Sequence, residues 1–133
     1  MRYENNMEWL KISTASELVR VAADEIVYIL ADGNYCDLVL SNGSTHNMTF
    51  QLHYFEEYFA RLKNNTFTRV GRSLIVNKRH IRVVNVPRRL IKFGGHTVST
   101  SLPVLRMDKL GRDSLKELKK EMDDYEDRST KSD

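Results

Sequence analysis

Apolar residues in this chain recur at every second position or in short unbroken runs, as strands require, and only twice at the three- and four-residue spacing of a helix. Trp9, Leu10 and Ile12 begin a first strand that ends in the polar residues 13–16. Residues 18–23 alternate around Arg20 and predict a strand apolar on more than one side, with a turn at 23–25. The run IVYIL at 26–30 is β-branched and aromatic. Residues 31–34 contain Gly33 and Asn34, which tolerate left-handed backbone, and predict a loop into a strand at 35–40. Asn42-Gly43 then signals a tight hairpin with 45–48 returning.

A helix is predicted over 50–62, where Leu52, Phe55, Tyr58 or Phe59, and Leu62 share a face opposite Glu56, Glu57 and Arg61. Thr49 is its expected N-cap, Asn64 and Asn65 its end, and its aromatic stripe reads as packing against a sheet. The stretch 67–81, FTRVGRSLIVNKRHI, predicts a buried strand at Leu74, Ile75 and Val76 with cationic loops at both ends. Arg69 and Arg72 flank Gly71 on one side, and Lys78, Arg79 and His80 follow Asn77 on the other. Asn77 is expected to cap the following backbone as an Asx turn. A strand over 83–86 is closed by Pro87, with Arg88 and Arg89 in the turn. Residues 90–93 and 96–100 predict a hairpin about Gly94 and Gly95. Met107, Leu110, Leu115, Leu118 and Met122 then share one side of a final helix, weakened early by Gly111 and expected to cap an open end of a sheet. The fold class is therefore mainly β and antiparallel, with one short internal helix and a C-terminal helix. A flexible N-terminus at 1–7, a body over 8–110, a helix over 111–122 and an acidic disordered tail over 123–133 complete the organisation.

Charge sharpens this picture. The 133 residues carry a net charge of +3, but residues 1–106 hold 14 Lys and Arg against 9 Asp and Glu, whereas 107–133 hold 7 against 9. Between Glu57 and Asp108 there are eleven basic residues and no acid, so these cations are expected to lack internal partners. Most charge runs are solvated faces, but a single-sign segment of this length repels itself, and a polyanion relieves that by releasing counterions.

Enzyme chemistry finds no support. His46, His53, His80 and His96 fall in no metal-ligand spacing, and Cys36 has no companion thiol. Phosphate-binding glycine loops and nucleophile elbows are absent, and Glu56 and Glu57 diverge on their helix. Neither cofactor, metal nor small-molecule ligand is expected. No apolar run reaches the length of a membrane span, and nothing at the N-terminus resembles a secretion signal, so a soluble cytoplasmic protein is expected.

Three segments, IVYILADGNYCDLVL at 26–40, FTRVGRSLIVN at 67–77 followed by Ile81, and LPVLR at 102–106, resemble in order and spacing the LytTR DNA-binding domain of bacterial transcription regulators. The resemblance covers roughly 8–110 and implies an elongated set of antiparallel sheets that reads paired promoter repeats with loops in successive major grooves. It implies base contacts from Asn34, Tyr35, Cys36, Arg72 and Arg106. Gly71 and Leu105 stand where many members have histidine and serine, which removes a polar group beside each arginine. The chain has no room for the receiver domain or membrane segment that usually precedes this domain, so a stand-alone regulator is expected.

The chemistry of the residues agrees with those roles. Arg72 and Arg106 can each donate two parallel hydrogen bonds to guanine O6 and N7. Arg69, Lys78, Arg79, Arg88 and Arg89 suit phosphates, which position a protein without reading bases. Tyr35 can stack on a sugar or base, or pack within the sheet. The expected partner is double-stranded DNA, bound by two copies on repeated half-sites. The alternative is a β-rich interaction module docking an acidic protein, with the C-terminal helix as its dimer or partner surface.

Overall fold

The computed structural model describes residues 8–94, 105–106 and 111–125. In chain order the strands are β1 (Trp9–Ser13), β2 (Leu18–Ala22), β3 (Ile26–Asp32), β4 (Tyr35–Leu40), β5 (Thr45–Met48), β6 (Phe67–Val70), β7 (Leu74–Asn77), β8 (Ile81–Asn85), β9 (Leu90–Phe93) and β10 (Leu105–Arg106). Helix α1 (Leu52–Ala60) lies between β5 and β6, and α2 (Arg112–Asp124) follows β10. They form three sheets: a β1-β2 hairpin, a central sheet in the order β5-β4-β3-β7-β6, and a three-stranded sheet in the order β10-β9-β8. Every described pairing is antiparallel.

The central sheet is buried on both faces, which explains why β3 and β7 read as continuous apolar runs instead of alternating with polar residues. One face carries Ile29, Leu38 and Ile75 and packs against Phe55 and Phe59 of α1 and Leu10 and Ile12 of β1. The other carries Val39, Leu74 and Val76 and packs against Ile91, Leu105, and Leu115 and Leu118 of α2. A register shift between Ile26 and Tyr28 puts Val27 and Tyr28 in the same core, so the IVYIL run breaks strict alternation through a β-bulge.

Several expectations need correction. The segment 67–81 is not one strand with two loops but a hairpin. β6 pairs with β7 from Phe67↔Asn77 to Val70↔Leu74, and the turn between them carries Gly71 at φ 66°. The loop at 31–34 shrinks to Gly33 and Asn34 because β3 continues through Asp32, which pairs with Tyr35. Thr49 is not the α1 cap; Gln51 occupies that position without a side-chain hydrogen bond, and Arg61 is the C-cap. The final helix runs two residues beyond 122, through Asp124, and Gly111 is its N-cap. It covers a sheet face rather than an open end, and with Leu115 at 0% and Leu118 at 2% exposure its apolar side is core, not a free partner surface. The predicted return strand at 96–100 and the helical positions Met107 and Leu110 lie outside the described residues, as does the tail beyond 125.

Candidate nucleic-acid interface

The strand register brings two turns together at one end of the central sheet. Ala31 N–H donates to Ser73 O at 2.7 Å, so the Gly33-Asn34 turn lies beside the turn at 71–73. Gly33 sits at φ 63°, in the left-handed region that glycine enters without a Cβ penalty. Asn34 and Arg72 are exposed, and Tyr35 is 50% exposed, which decides its packing question in favour of solvent. Among the described residues no carboxylate pairs with Arg72. Gly33, Tyr35, Arg69 and Arg72 line a shallow cleft of about 260 Å³ with Gln51 and His53 from the start of α1. Gln51 and His53 carry no sequence signal for this site, because only the packing of α1 on the sheet brings them to the turns.

Cys36 lies at the floor of this cleft and is nearly closed off from solvent. It is 1% exposed and its thiol donates to Phe50 O at 2.9 Å, so in this conformation it packs as a core residue beneath the turn. Burial pushes the thiol pKa up, Asp37 adds to the rise, and Arg69 opposes it.

The other end of β7 is basic in sequence and largely paired in space. Lys78 Nζ lies 3.1 Å from Glu121 Oε2 on α2 and 5.2 Å from the Tyr125 ring centroid. Arg79 Nη1 lies 2.5 Å from Asp24 Oδ1, and His80 is buried with Nε2 2.8 Å from Asp24 O. Asn77 is fully buried: its side chain donates to Ile26 O at 2.9 Å and accepts from Thr66 Oγ1 at 2.6 Å and Arg79 N at 3.2 Å, the last being the anticipated Asx turn. Arg69 is paired as well, its Nη1 lying 2.6 Å from Glu56 Oε1 and its Nη2 donating to Arg72 O at 2.7 Å. The expectation that the eleven cations lack internal partners therefore fails for Arg69, Lys78 and Arg79, whose acids come from segments on either side of the basic stretch.

A third basic group lies on the three-stranded sheet. Arg88 and Arg89 occupy the β8-β9 turn, where Asn85 Oδ1 accepts from Arg88 N at 3.0 Å and Arg89 is held at φ 51°. A positive φ is uncommon for a residue with a Cβ, so the rest of the turn imposes it. Exposed Arg106 pairs with Leu90, the residue directly after that turn, so Arg88, Arg89 and Arg106 share one end of the sheet. Among the described residues none of these three arginines pairs with a carboxylate.

Among the described residues no cluster of three or more His, Cys, Asp or Glu could hold a metal ion. None of the described helices is long and apolar enough to cross a membrane.

Comparison with known proteins bears on the family and the fold. An uncharacterised response regulatory protein of Vibrio cholerae serotype O1 is 30% identical over 102 residues, spanning 74% of this chain and 37% of that protein. The chain thus spans little more than a third of the length of this relative. A solved LytTr DNA-binding domain, from a protein described as a methyl-accepting/DNA response regulator of Bacillus cereus, superposes with a TM-score of 0.61 at 17% identity. That match covers 88% of this chain and 97% of the other and shows a shared fold. The profile of the LytTr DNA-binding domain matches residues 16–123, most of the chain. With the three-sheet architecture, that match shows that the chain belongs to the LytTr DNA-binding domain family.

Proposed function

We propose that this chain is a sequence-specific, DNA-binding transcription regulator that inserts its paired turns into the major groove of double-stranded DNA. The observation that carries this reading is the juxtaposition of the Asn34-Tyr35 turn with Arg72, held by the Ala31-to-Ser73 hydrogen bond, with the Arg72 side chain unpaired among the described residues. Arg72 reads a guanine, Asn34 contributes amide hydrogen bonds to a neighbouring base, and Tyr35 stacks on sugar or base. The second basic group, Arg106 with Arg88 and Arg89, meets the duplex separately, Arg106 at a base edge and the other two at phosphates. Two copies occupy repeated half-sites.

Selection from a random duplex library, then a salt titration of the enriched pool against scrambled DNA, tests the reading. Enrichment of a repeated motif, with an affinity gap that persists near physiological salt, is the expected result. Equal binding to both pools that vanishes with salt overturns it and leaves only a basic surface.

A further inference from the structure

We infer that Glu56 and Arg69 are positioning residues that set the backbone of the β6-β7 turn so that Arg72 meets its base, with Arg69 acting as a brace and not as a phosphate contact. This rests on the reading of Arg72 as a base-reading residue.

Arg69 leaves β6 opposite Ile75, on the face of the central sheet that α1 covers. Its guanidinium then bonds in two directions at once, to Glu56 Oε1 at 2.6 Å and to the carbonyl oxygen of Arg72 at 2.7 Å. A guanidinium is a rigid planar fork, so two such bonds fix its plane and tie the tip of the turn to helix α1. The next carbonyl, Ser73 O, is tied to β3 through Ala31 N at 2.7 Å. The Arg72 peptide is thus held on both flanks, to α1 through Arg69 and to the neighbouring turn through Ser73. Bidentate recognition of guanine tolerates displacements of only about half an ångström, and a turn opening on a glycine at φ 66° does not supply that rigidity by itself. Arg69 has meanwhile committed its charge to Glu56, leaving little for a phosphate.

The test turns on sign. Removing the carboxylate of Glu56 from a DNA-binding face strengthens binding to any polyanion if only charge matters. If Glu56 holds the brace, Glu56→Gln weakens binding to the selected sequence about five- to twenty-fold while scrambled DNA is bound as well as before or a few-fold better. Arg69→Lys, which keeps the charge and loses the fork, gives the same loss of discrimination. In an Arg72→Ala background neither change costs further discrimination, because the residue they position is gone.

Glu56→Gln that tightens selected and scrambled DNA equally overturns the proposal. So does a variant that loses both affinities together with thermal stability, which is a structural role only. If the unmodified protein prefers no sequence, the functional reading fails instead, and the brace is then judged on the free protein. Backbone order parameters at Gly71, Arg72 and Ser73 fall in Glu56→Gln if the brace exists and stay unchanged if it does not.

Discussion

At one end of β7, Arg72 extends from a glycine turn with no carboxylate paired to it among the described residues. At the other end Lys78 and Arg79 lie 3.1 and 2.5 Å from Glu121 and Asp24. Six residues of mostly extended chain, on the order of 20 Å, separate two arginine- and lysine-rich corners that look alike in sequence and differ in what they offer a polyanion. The Arg79–Asp24 pair is exposed, and such pairs add at most about 1 kcal/mol to stability; the Lys78–Glu121 pair is half-buried. Both pairs lower the charge presented, and a phosphate reaching Lys78 or Arg79 must compete with a carboxylate already there. Charge along a chain and charge on a surface are therefore different quantities.

The sharpest way to break the comparison is at Asn77, which makes the second corner. Its buried amide serves Ile26 O, Thr66 Oγ1 and Arg79 N at once. Asn77→Ala leaves at least Ile26 O without its partner, at about 1–3 kcal/mol for each buried group orphaned. A denaturation midpoint within error of the unmodified protein would show the corner to be far looser than these bonds imply. The folded fraction of the variant should still discriminate between DNA sequences, because the Arg72 turn is anchored elsewhere, through Ala31 and Arg69.

At the other corner the effect falls on recognition and not on stability. Arg72→Ala is expected to lose about 1–3 kcal/mol of discrimination in favour of the selected sequence, with scrambled DNA affected only through the removal of one charge. Competition binding on the two duplexes reads this directly. Equal losses on both would move Arg72 from the base edge to the backbone.

The contrast also shows where sequence reading stops. Four of the five strands of the central sheet, β3, β4, β5 and β7, are legible because β-branched runs bounded by Gly33, Asn42-Gly43 and Asn77 leave few alternatives, and α1 is legible from its aromatic spacing; β6, with Arg69 among only four residues, reads as a loop. Ion pairing is not legible, since Asp24, Glu56 and Glu121 are 55, 13 and 43 residues from their partners. The burial of Cys36 is not legible either: a residue next to an exposed tyrosine in a strand points the other way, and alternation alone does not say which face is wet until the covering helix is located. The meeting of Arg88 and Arg89 with Arg106 depends on β10 pairing with β9, segments that carry no mutual signal in the chain.

A smaller effect separates paired from unpaired cations. Arg88→Gln and Arg89→Gln should each flatten the plot of log affinity against log salt by about 0.9, the change that follows when one phosphate is no longer neutralised. Lys78→Gln should flatten it by visibly less, because Glu121 already neutralises that lysine. A full-unit change for Lys78 would mean that the Glu121 pair opens on DNA, and Glu121→Gln would then leave the slope of the unmodified protein unaltered.

The least effect is expected at Cys36, nearly buried under the turn. Its thiol pKa is raised in the folded protein, chiefly by burial. Above the ordinary thiol value of about 8.5, the unfolded chain has therefore released a proton that the folded chain keeps. Folding stability then declines as pH rises, with a slope of at most about 1.4 kcal/mol per pH unit from this one group. Tyr28 and Tyr58, also raised chiefly by burial, extend the decline above about pH 10. Thermal melts of the unmodified protein and Cys36→Ala between pH 8 and 10 isolate the thiol: the difference in stability between the two should shrink with pH. Parallel curves would mean that the thiol reaches solvent through the cleft it shares with Tyr35 and Arg72.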